Sequence, residues 1–268
     1  MKKILIIGAN DNATAVALRL FRSGFSIVLM CPDVSKDLFH FRNYSLLSII
    51  GSKTINGVKA LTYSDFIYNQ NESEKFTIEN FVDFSTKNRR IPVLVESDRL
   101  KFSFSSFNVF IICDEELYKK VEISQIPSKI IICCLENNPG LADYTIFTER
   151  EYAGQVRYPF LDIPETEEKI SGYHSVFSDY EGVFVADKSP GDQIKKGEQI
   201  ALIDNRTVIA EYEGYLSGII HNGTIIGKDT EVARIVEARN RHNPQIIPSK
   251  SFAIAGGVLE AILYNQNL

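Results

Sequence analysis

Hydrophobic and polar residues follow one another in two different patterns, which divide the chain into two regions. In the first region, Lys3 to Ile7 runs without interruption into Gly8, and Ala13 to Phe21 then carries apolar residues at helical spacing. Strand, glycine turn and helix in this order predict the opening of a Rossmann-like α/β domain. A second apolar run, Phe25 to Met30, predicts the strand that completes the βαβ unit.

Further apolar runs predict additional strands of the same sheet: Ile91 to Glu96, Asn108 to Cys113, Lys129 to Cys134 and Tyr144 to Thr148. Asp114 to Tyr118 predicts a helix, because its acidic first turn suits the positive end of the helix dipole. Within Arg42 to Ala60, Asn56-Gly57 predicts a turn between short β-like runs. Asn69 to Glu74 predicts an exposed loop. We therefore expect a mostly parallel sheet over residues 1–172.

The second region repeats itself. Tyr180-Glu181-Gly182 recurs as Tyr212-Glu213-Gly214, an offset of 212 − 180 = 32 residues. Gln199 to Ile203 alternates as a half-buried strand does. Glycines that can supply the positive φ angles of tight turns follow each repeat: Gly191, Gly197, Gly223 and Gly227. Two such units are expected to clasp each other and form a small all-β domain over residues 173–240.

This repeat resembles the barrel-sandwich hybrid of biotinyl and lipoyl carrier domains. In those domains the modified lysine lies in the hairpin between the halves, which corresponds here to Ile203 to Val208. Arg206 in that hairpin cannot form the amide link, and the nearest lysines lie in the outer turns: Lys195, Lys196 and Lys228. We therefore predict neither biotin nor lipoate, and favour a module that docks on another protein.

The two regions are joined by polar, proline-containing stretches. Pro159 to Gly172 is a polar connector, and we place the domain boundary there. Residues 241–268 are expected to return to the first domain as a linker and a short helix. In that segment Ala255-Gly256-Gly257 predicts a turn and Val258 to Leu263 the helix.

Composition narrows the classes of function. The chain has 268 residues, 44% of them hydrophobic, which suits two unequal domains. A formal net charge of −5 with no basic run argues against nucleic acid or an anionic membrane as partner. The apolar runs are much shorter than the roughly 20 residues that span a bilayer. The opening run ends at Gly8, so a signal peptide is not predicted, and the protein is expected to be cytoplasmic.

The glycine turn departs from the dinucleotide-binding fingerprint. Asn10 replaces the glycine that lets a pyrophosphate approach the backbone, and its side chain fills space that a phosphate would use. Asn10 tolerates the left-handed region, so the turn itself is expected to survive. Two readings stay open: a purely architectural turn, or an anionic nucleotide or cofactor bound by the following residues: Gly8, Ala9, Asn10, Asp11, Asn12, Ala13, Thr14 and, after the second strand, Asp33. Asp11 also suits a helix cap.

Other chemistry-bearing residues form no complete constellation. All four cysteines follow predicted strands: Cys31, Cys113, Cys133 and Cys134. They either form a thiolate cluster for sulfur, selenium or a soft metal, or pack as small apolar residues, and no CxxC spacing supports the cluster. The histidines show no helical pair: His40, His174, His221 and His242. No metal site and no catalytic residue are predicted, so enzymatic activity stays undecided.

Taken together, the chain resembles the accessory proteins of the selenium-dependent molybdenum hydroxylase system. The similarity covers the opening GANDNATAVALRLFRSGF, Arg42 to Ala60, Ile91 to Glu96, Gly182 to Ile235 and the segment IAGGVLEAIL. The resemblance implies a role in maturing a selenium- or molybdenum-dependent hydroxylase. A hydroxylase subunit would be its partner, and NAD(P) or a molybdenum-cofactor-related compound its anionic ligand.

The same resemblance adds candidate residues and marks departures. It adds Arg42, Pro139 and Gly140 to the ligand site, and Arg150 as an anion-binding residue. The family pattern of Asp-Ala-Arg is replaced by Cys113-Asp114-Glu115, Gly-Pro-Gly-Phe by Asn138 to Leu141, and Arg-Gly-His by Arg150-Glu151-Tyr152. Because each change follows a predicted strand, where α/β sheets bind ligands, the fold is expected to carry over more safely than the activity. The alternatives are an NAD(P)-dependent oxidoreductase and a non-catalytic scaffold.

Overall fold

The computed structural model describes residues 3–69, 76–121, 130–135, 142–149, 152–158 and 172–266. The chain divides into two compact units. The first unit contains Met1–Asp33, Asn43–Glu167 and Ile247–Leu268, and the second contains Val34–Arg42 and Glu168–Ile246. The short segment Val34–Arg42 thus belongs to the second unit although the first unit flanks it in sequence, which the sequence pattern did not predict.

In the described part of the first unit, a nine-stranded sheet has the order β3-β4-β5-β2-β1-β6-β7-β8-β9. Its strands are β1 (Lys3–Ile7), β2 (Ser26–Cys31), β3 (Ser52–Ile55), β4 (Val58–Thr62), β5 (Ile91–Val95), β6 (Val109–Ile112), β7 (Ile130–Cys133), β8 (Tyr144–Ile146) and β9 (Val156–Arg157). All pairs from β4 to β8 are parallel, and only β3 and β9 at the edges pair antiparallel. From β5 to β8 the order is that of doubly wound sheets. In such sheets the ligand crevice lies outside the carboxyl ends of the strands at which the strand order reverses, here β1 and β6.

Helices cover both faces of this sheet: α1 (Asp11–Arg22), α2 (Leu47–Ile50), α3 (Tyr63–Tyr68), α4 (Ile78–Lys87), α5 (Glu115–Lys119) and α6 (Ser249–Gln266). Ile4 and Ile6 of β1 are buried in the cluster that contains α1 and α6, whereas Leu5 and Ile7 are buried in the cluster that contains α3 and α4. A strand buried on both sides reads as a continuous apolar run, which explains the pattern in the sequence. The expected α/β class and mostly parallel sheet are confirmed.

One expectation about a helix was wrong, and one helix was not predicted. Gly256-Gly257 does not form a turn, because α6 begins at Ser249 and runs through both glycines. A Cβ on Gly257 would collide with the carbonyl oxygen of Gly154, so the glycine allows a close backbone approach inside a helix. The polar stretch after residue 75 contains α4, which we did not predict, although Thr77 caps it and Phe81 and Val82 are buried.

The described part of the second unit contains two four-stranded antiparallel sheets, β10-β17-β15-β12 and β14-β13-β11-β16. Their strands are β10 (Tyr173–Phe177), β11 (Gly182–Ala186), β12 (Gln193–Ile194), β13 (Gln199–Ile203), β14 (Arg206–Ile209), β15 (Gly214–Ile219), β16 (Ile225–Ile226) and β17 (Glu231–Val236). Phe184, Ile203, Leu216 and Ile235 lie in their common core. A second, all-β region is therefore present, but the two sheets do not close into a barrel.

The repeated glycines have a structural reason. Gly182 and Gly214, which occupy equivalent places in the repeat, have φ angles of 150° and 159°, and a Cβ on either would collide with a neighbouring oxygen atom. Three of the predicted turn glycines have positive φ angles: Gly191, Gly197 and Gly223. The prediction for Gly227 was wrong, because Asp229 takes the positive φ angle in that turn, at 59°.

Among the helices of the described residues, none is both long and apolar enough to cross a lipid bilayer.

Candidate functional site

The turn between β1 and α1 was predicted to hold an anion, and its glycine lies against another turn of the chain. Gly8 has a φ angle of 121°, and a Cβ on it would stand 3.0 Å from Cβ of Asp114 and 3.2 Å from the carbonyl carbon of Cys113. The connection from β6 to α5 therefore packs directly on Gly8. Glycine is required here for the approach of two chain segments.

Asn10 closes the first turn of α1. It is extended, with φ −66° and ψ −174°, and forms the N-cap, so the turn is present and the cap comes from Asn10 instead of Asp11. Its Oδ1 accepts a hydrogen bond from the Ala13 backbone N–H at 3.0 Å, and its Nδ2 donates to the Cys113 carbonyl at 2.8 Å. An N–H group that an anion would use at a helix N-terminus is thus already bonded.

Thr14 is also engaged within the chain. Its buried hydroxyl donates to the Ala9 carbonyl oxygen and accepts from the Tyr44 backbone N–H, both at 3.1 Å. Ala9 and Ala13 are buried as well. The Thr14 hydroxyl, predicted to contact a ligand, instead joins α1 to the segment around Tyr44.

The three remaining polar candidates of the first unit hold other parts of the chain. Asp11 accepts a hydrogen bond from Asn43 Nδ2 at 3.1 Å. Asn12 Oδ1 accepts from the Ser251 hydroxyl at 2.8 Å, at the beginning of α6. Asp33 Oδ1 accepts from both the backbone N–H and the hydroxyl of Ser97, each at 3.0 Å. Asp33 therefore anchors the segment after β5 in the position where a dinucleotide site would offer a carboxylate to ribose.

Arg42 belongs to the second unit. It is buried, its guanidinium lies 4.2 Å from the centre of the Phe39 ring, and Nη1 donates to the Pro244 carbonyl at 3.4 Å. It is thus a packed residue of that unit. Three candidates lie outside the described residues: Pro139, Gly140 and Arg150.

The four cysteines stand at strand ends, as the sequence indicated, and all are buried free thiols: Cys31, Cys113, Cys133 and Cys134. Burial raises the pKa of Cys31 to about 12 and that of Cys133 to about 11. A hydrogen bond with Cys113, together with burial, raises the pKa of the Cys134 thiol well above its usual value. Reactive cysteines need a lowered pKa, so the thiols of Cys31, Cys133 and Cys134 act as apolar packing groups. Within the described ranges, no group of three His, Cys, Asp or Glu side chains could hold a metal ion.

The hairpin between β13 and β14 is the one that the resemblance to carrier domains predicted to correspond to their lysine-bearing hairpin. Asp204, with a φ angle of 50°, accepts a hydrogen bond from the Val183 N–H and donates its own N–H to the Val183 carbonyl, both at 3.0 Å. The Arg206 guanidinium stacks 4.5 Å from the centre of the Tyr180 ring. The turn is therefore tied down to β11, whereas a swinging attachment site needs an exposed lysine.

Three histidines make ring contacts that the sequence did not reveal. His174 stacks on Tyr212 with ring centres 3.8 Å apart, and His40 meets His221 edge to face at 5.4 Å. In both cases the partner is distant in sequence, so no local spacing could have indicated the contact.

Comparison with known proteins finds a bacterial relative and a partial similarity to a solved structure. No family model matches the chain. The uncharacterized protein YqeB of Escherichia coli K12 is 24% identical over 271 residues, which covers 97% of this chain and 47% of that protein. The chain thus spans about half the length of this relative. A crystal structure of the Kluyveromyces lactis urea carboxylase is 26% identical over 28% of this chain and 7% of that chain, with a TM-score of 0.24, too low to carry an argument.

Proposed function

We propose that this chain is a non-catalytic accessory protein that acts by binding a partner protein. In this proposal a doubly wound, Rossmann-like domain provides the framework, and a barrel-sandwich-hybrid module without a carrier lysine provides the docking part. The observation that carries the proposal is the closed β1–α1 turn. Asn10 caps the first helical turn, and Asp114 packs on Gly8.

The closed turn favours a scaffold over an NAD(P)-dependent oxidoreductase. A pyrophosphate needs close approach to the backbone and free N–H groups at the helix N-terminus. Here the Ala13 N–H is bonded to Asn10 and the Thr14 hydroxyl to Ala9 and Tyr44. An anionic nucleotide or molybdenum-cofactor-related ligand would have to displace the Asn10 side chain from two hydrogen bonds.

The partner is proposed from the family resemblance. A cytoplasmic molybdenum-dependent hydroxylase, or a protein that completes its cofactor with sulfur or selenium, would bind the β-module. The hairpin at Asp204 and Arg206 supports docking rather than carriage, because both side chains are bound within the module.

Fluorescence titration with NADH and NADPH tests the proposal. The wild-type chain is expected to show no saturable binding up to about 1 mM. Asn10→Gly removes the plugging side chain, and Asn88→Gly, at the exposed end of α4, is the matched control. Saturable binding by the wild type would contradict the scaffold and support the oxidoreductase.

Co-purification tests the partner. A tagged chain is expected to retain a molybdenum hydroxylase subunit, and Asp11→Ala is expected to leave that association unchanged, because Asp11 accepts a hydrogen bond from Asn43 within the first unit. Failure of both wild type and variant to retain a hydroxylase subunit would remove the support for this partner.

A further inference from the structure

The sheet β14-β13-β11-β16 carries apolar side chains on both faces. Its inner side chains are buried in the core: Phe184, Ile203, Val208 and Ile226. Several of its outer side chains are also apolar, yet exposed: Val183 by 40%, Val185 by 44%, Ile209 by 52% and Ile225 by 73%, whereas Gln199 and Thr207 on the same face are polar. An antiparallel sheet with one face in solvent normally carries polar residues there.

Four apolar side chains of the outer face are neighbours across three strands. Val183 pairs directly with Ile225 on the neighbouring strand, and Val185 pairs with the half-buried Leu202. Ile209 lies on the edge strand β14, where it pairs with Gln199 and stands two residues from Thr207, the partner of Leu202. Single exposed apolar residues are ordinary, whereas a contiguous patch marks an interaction site. We name these five apolar residues the outer patch.

The other sheet of the module shows that this patch is not a general property of the fold. There Glu231 of β17 accepts a hydrogen bond from the Ser175 hydroxyl at 2.6 Å and pairs with Arg234 at 2.8 Å. The Arg234 guanidinium in turn lies 4.3 Å from the centre of the Tyr173 ring. That sheet carries polar groups that satisfy one another.

Acidic side chains flank the outer patch. Glu181 and Asp187 continue the two-residue alternation of Val183 and Val185 at either end of β11, and Glu211 stands two residues after Ile209. All three are exposed, and within the described residues none forms an ion pair. The patch is therefore apolar with a negative rim.

Two nearby cations offset only part of the charge of this rim. Lys188 pairs with Glu198, and Arg206 stacks on Tyr180. A second copy of the chain docked face to face would bring like carboxylates together, which is unfavourable. Complementary charge requires lysine or arginine on the partner.

We propose that the outer patch docks a segment of a partner protein in which apolar side chains are flanked by lysine or arginine. The assignment rests on the proposed function, in which the module binds a partner, and it adds the surface and the chemistry of that partner. The apolar centre supplies affinity by excluding water, and the acidic rim selects the partner and speeds the encounter.

Site-specific photo-crosslinking tests the surface in cells. A benzophenone amino acid is placed at Val183, at Ile225 and, as control, at Phe177, which is 56% exposed on the other sheet. Positions 183 and 225 are expected to give an adduct with one peptide whose apolar residues lie within a few positions of Lys or Arg, and position 177 is not. An adduct with a second copy, with the same chain or with lipid, or no adduct, overturns the proposal.

Substitutions that introduce opposite charges at one position then test the charge complementarity between the outer patch and its partner. Val183→Asp and Val183→Lys remove the same apolar side chain but differ in sign. The partner identified by crosslinking is then purified, and its affinity for each variant is measured. Val183→Lys is expected to lower this affinity at least about tenfold more than Val183→Asp does, and Asp187→Lys is expected to lower it as well. Phe177→Lys is the control, and thermal melting checks that each variant is folded. Equal loss for both Val183 variants contradicts a basic partner.

The two proposals can fail separately. If a hydroxylase subunit co-purifies equally well with wild type and Val183→Lys, the outer patch is not its docking surface, and the accessory function stands. If wild type binds NADH saturably and retains no hydroxylase subunit, the accessory function itself fails.

Discussion

Burial of the cysteine thiols has a consequence for stability in alkaline solution. The pKa of a cysteine thiol is 9.0 in the unfolded chain, whereas in the folded protein it is about 12 for Cys31 and about 11 for Cys133. Above pH 9 the unfolded chain loses thiol protons that the folded chain keeps. The stability that these thiols contribute is therefore complete below pH 9 and is lost as the pH rises from 9 towards 11 and 12.

We expect the urea midpoint to fall over this range, and to fall less steeply in the double variant Cys31→Ala, Cys133→Ala. At pH 8 the thiols of the folded protein should react with a disulfide reagent only after unfolding. Rapid reaction of either thiol in the folded protein would show that it is not the packing group described above.

Asn10 shows where sequence reasoning ends for single residues. Asparagine suits both a left-handed turn and a helix N-cap, so its type alone could not decide. The deciding contact, from Nδ2 to the Cys113 carbonyl, joins residues 103 positions apart. The cysteines could be placed at strand ends because that position depends only on local apolar runs.

Alanine substitutions at the two adjacent glycines of α6 are expected to change the free energy of unfolding in opposite directions. A Cβ on Gly256 would meet only Arg19 Nη1, at 3.8 Å, so Gly256→Ala is expected to stabilise the protein by about 0.5–1 kcal/mol through helix propensity. A Cβ on Gly257 would collide with the Gly154 carbonyl, so Gly257→Ala is expected to destabilise it by about 1–3 kcal/mol.

Urea unfolding of the two variants measures both effects under the same conditions. Similar shifts for both substitutions would contradict the close approach of α6 to Gly154.

The elements were predictable where the pattern was local. The main strands of the first unit were placed within one or two residues, because buried apolar runs are bounded by turns. Asn56-Gly57 was recognised as a turn, and the two residues have φ angles of 47° and 78°. Gly256-Gly257 was misread because paired glycines usually end a helix, and the contact with Gly154 that explains them is not local.

The second unit depends on a segment from elsewhere in the chain. Leu38 is buried in its core, and the Leu38 carbonyl accepts a hydrogen bond from the Ile219 N–H at 2.9 Å. Leu38→Ala is expected to destabilise this unit by about 2–4 kcal/mol through the cavity it leaves. Hydrogen exchange should quicken in β11 and β13 and stay unchanged in β1.

Val34→Ala provides the control, because Val34 is exposed in the same segment. Equal quickening of exchange in both units would contradict a contribution of Leu38 to the second unit alone.

For the molecule as a whole, the change from helical to alternating periodicity was enough to predict an α/β region followed by an all-β region. It could not assign Val34–Arg42, because this segment has no regular periodicity and joins the second unit through Leu38 and Phe39. The sequence also could not show whether the two sheets close into a barrel, since closure depends on pairing between strands that are distant in the chain.

Because α6 packs against α1, the first unit can complete its fold only after α6 has been synthesised. The helix α6 is translated after every strand of the second unit. The side of α1 that α6 covers therefore stays uncovered while these strands are synthesised. The side chains of α1 that α6 covers are buried only after the second unit has been synthesised.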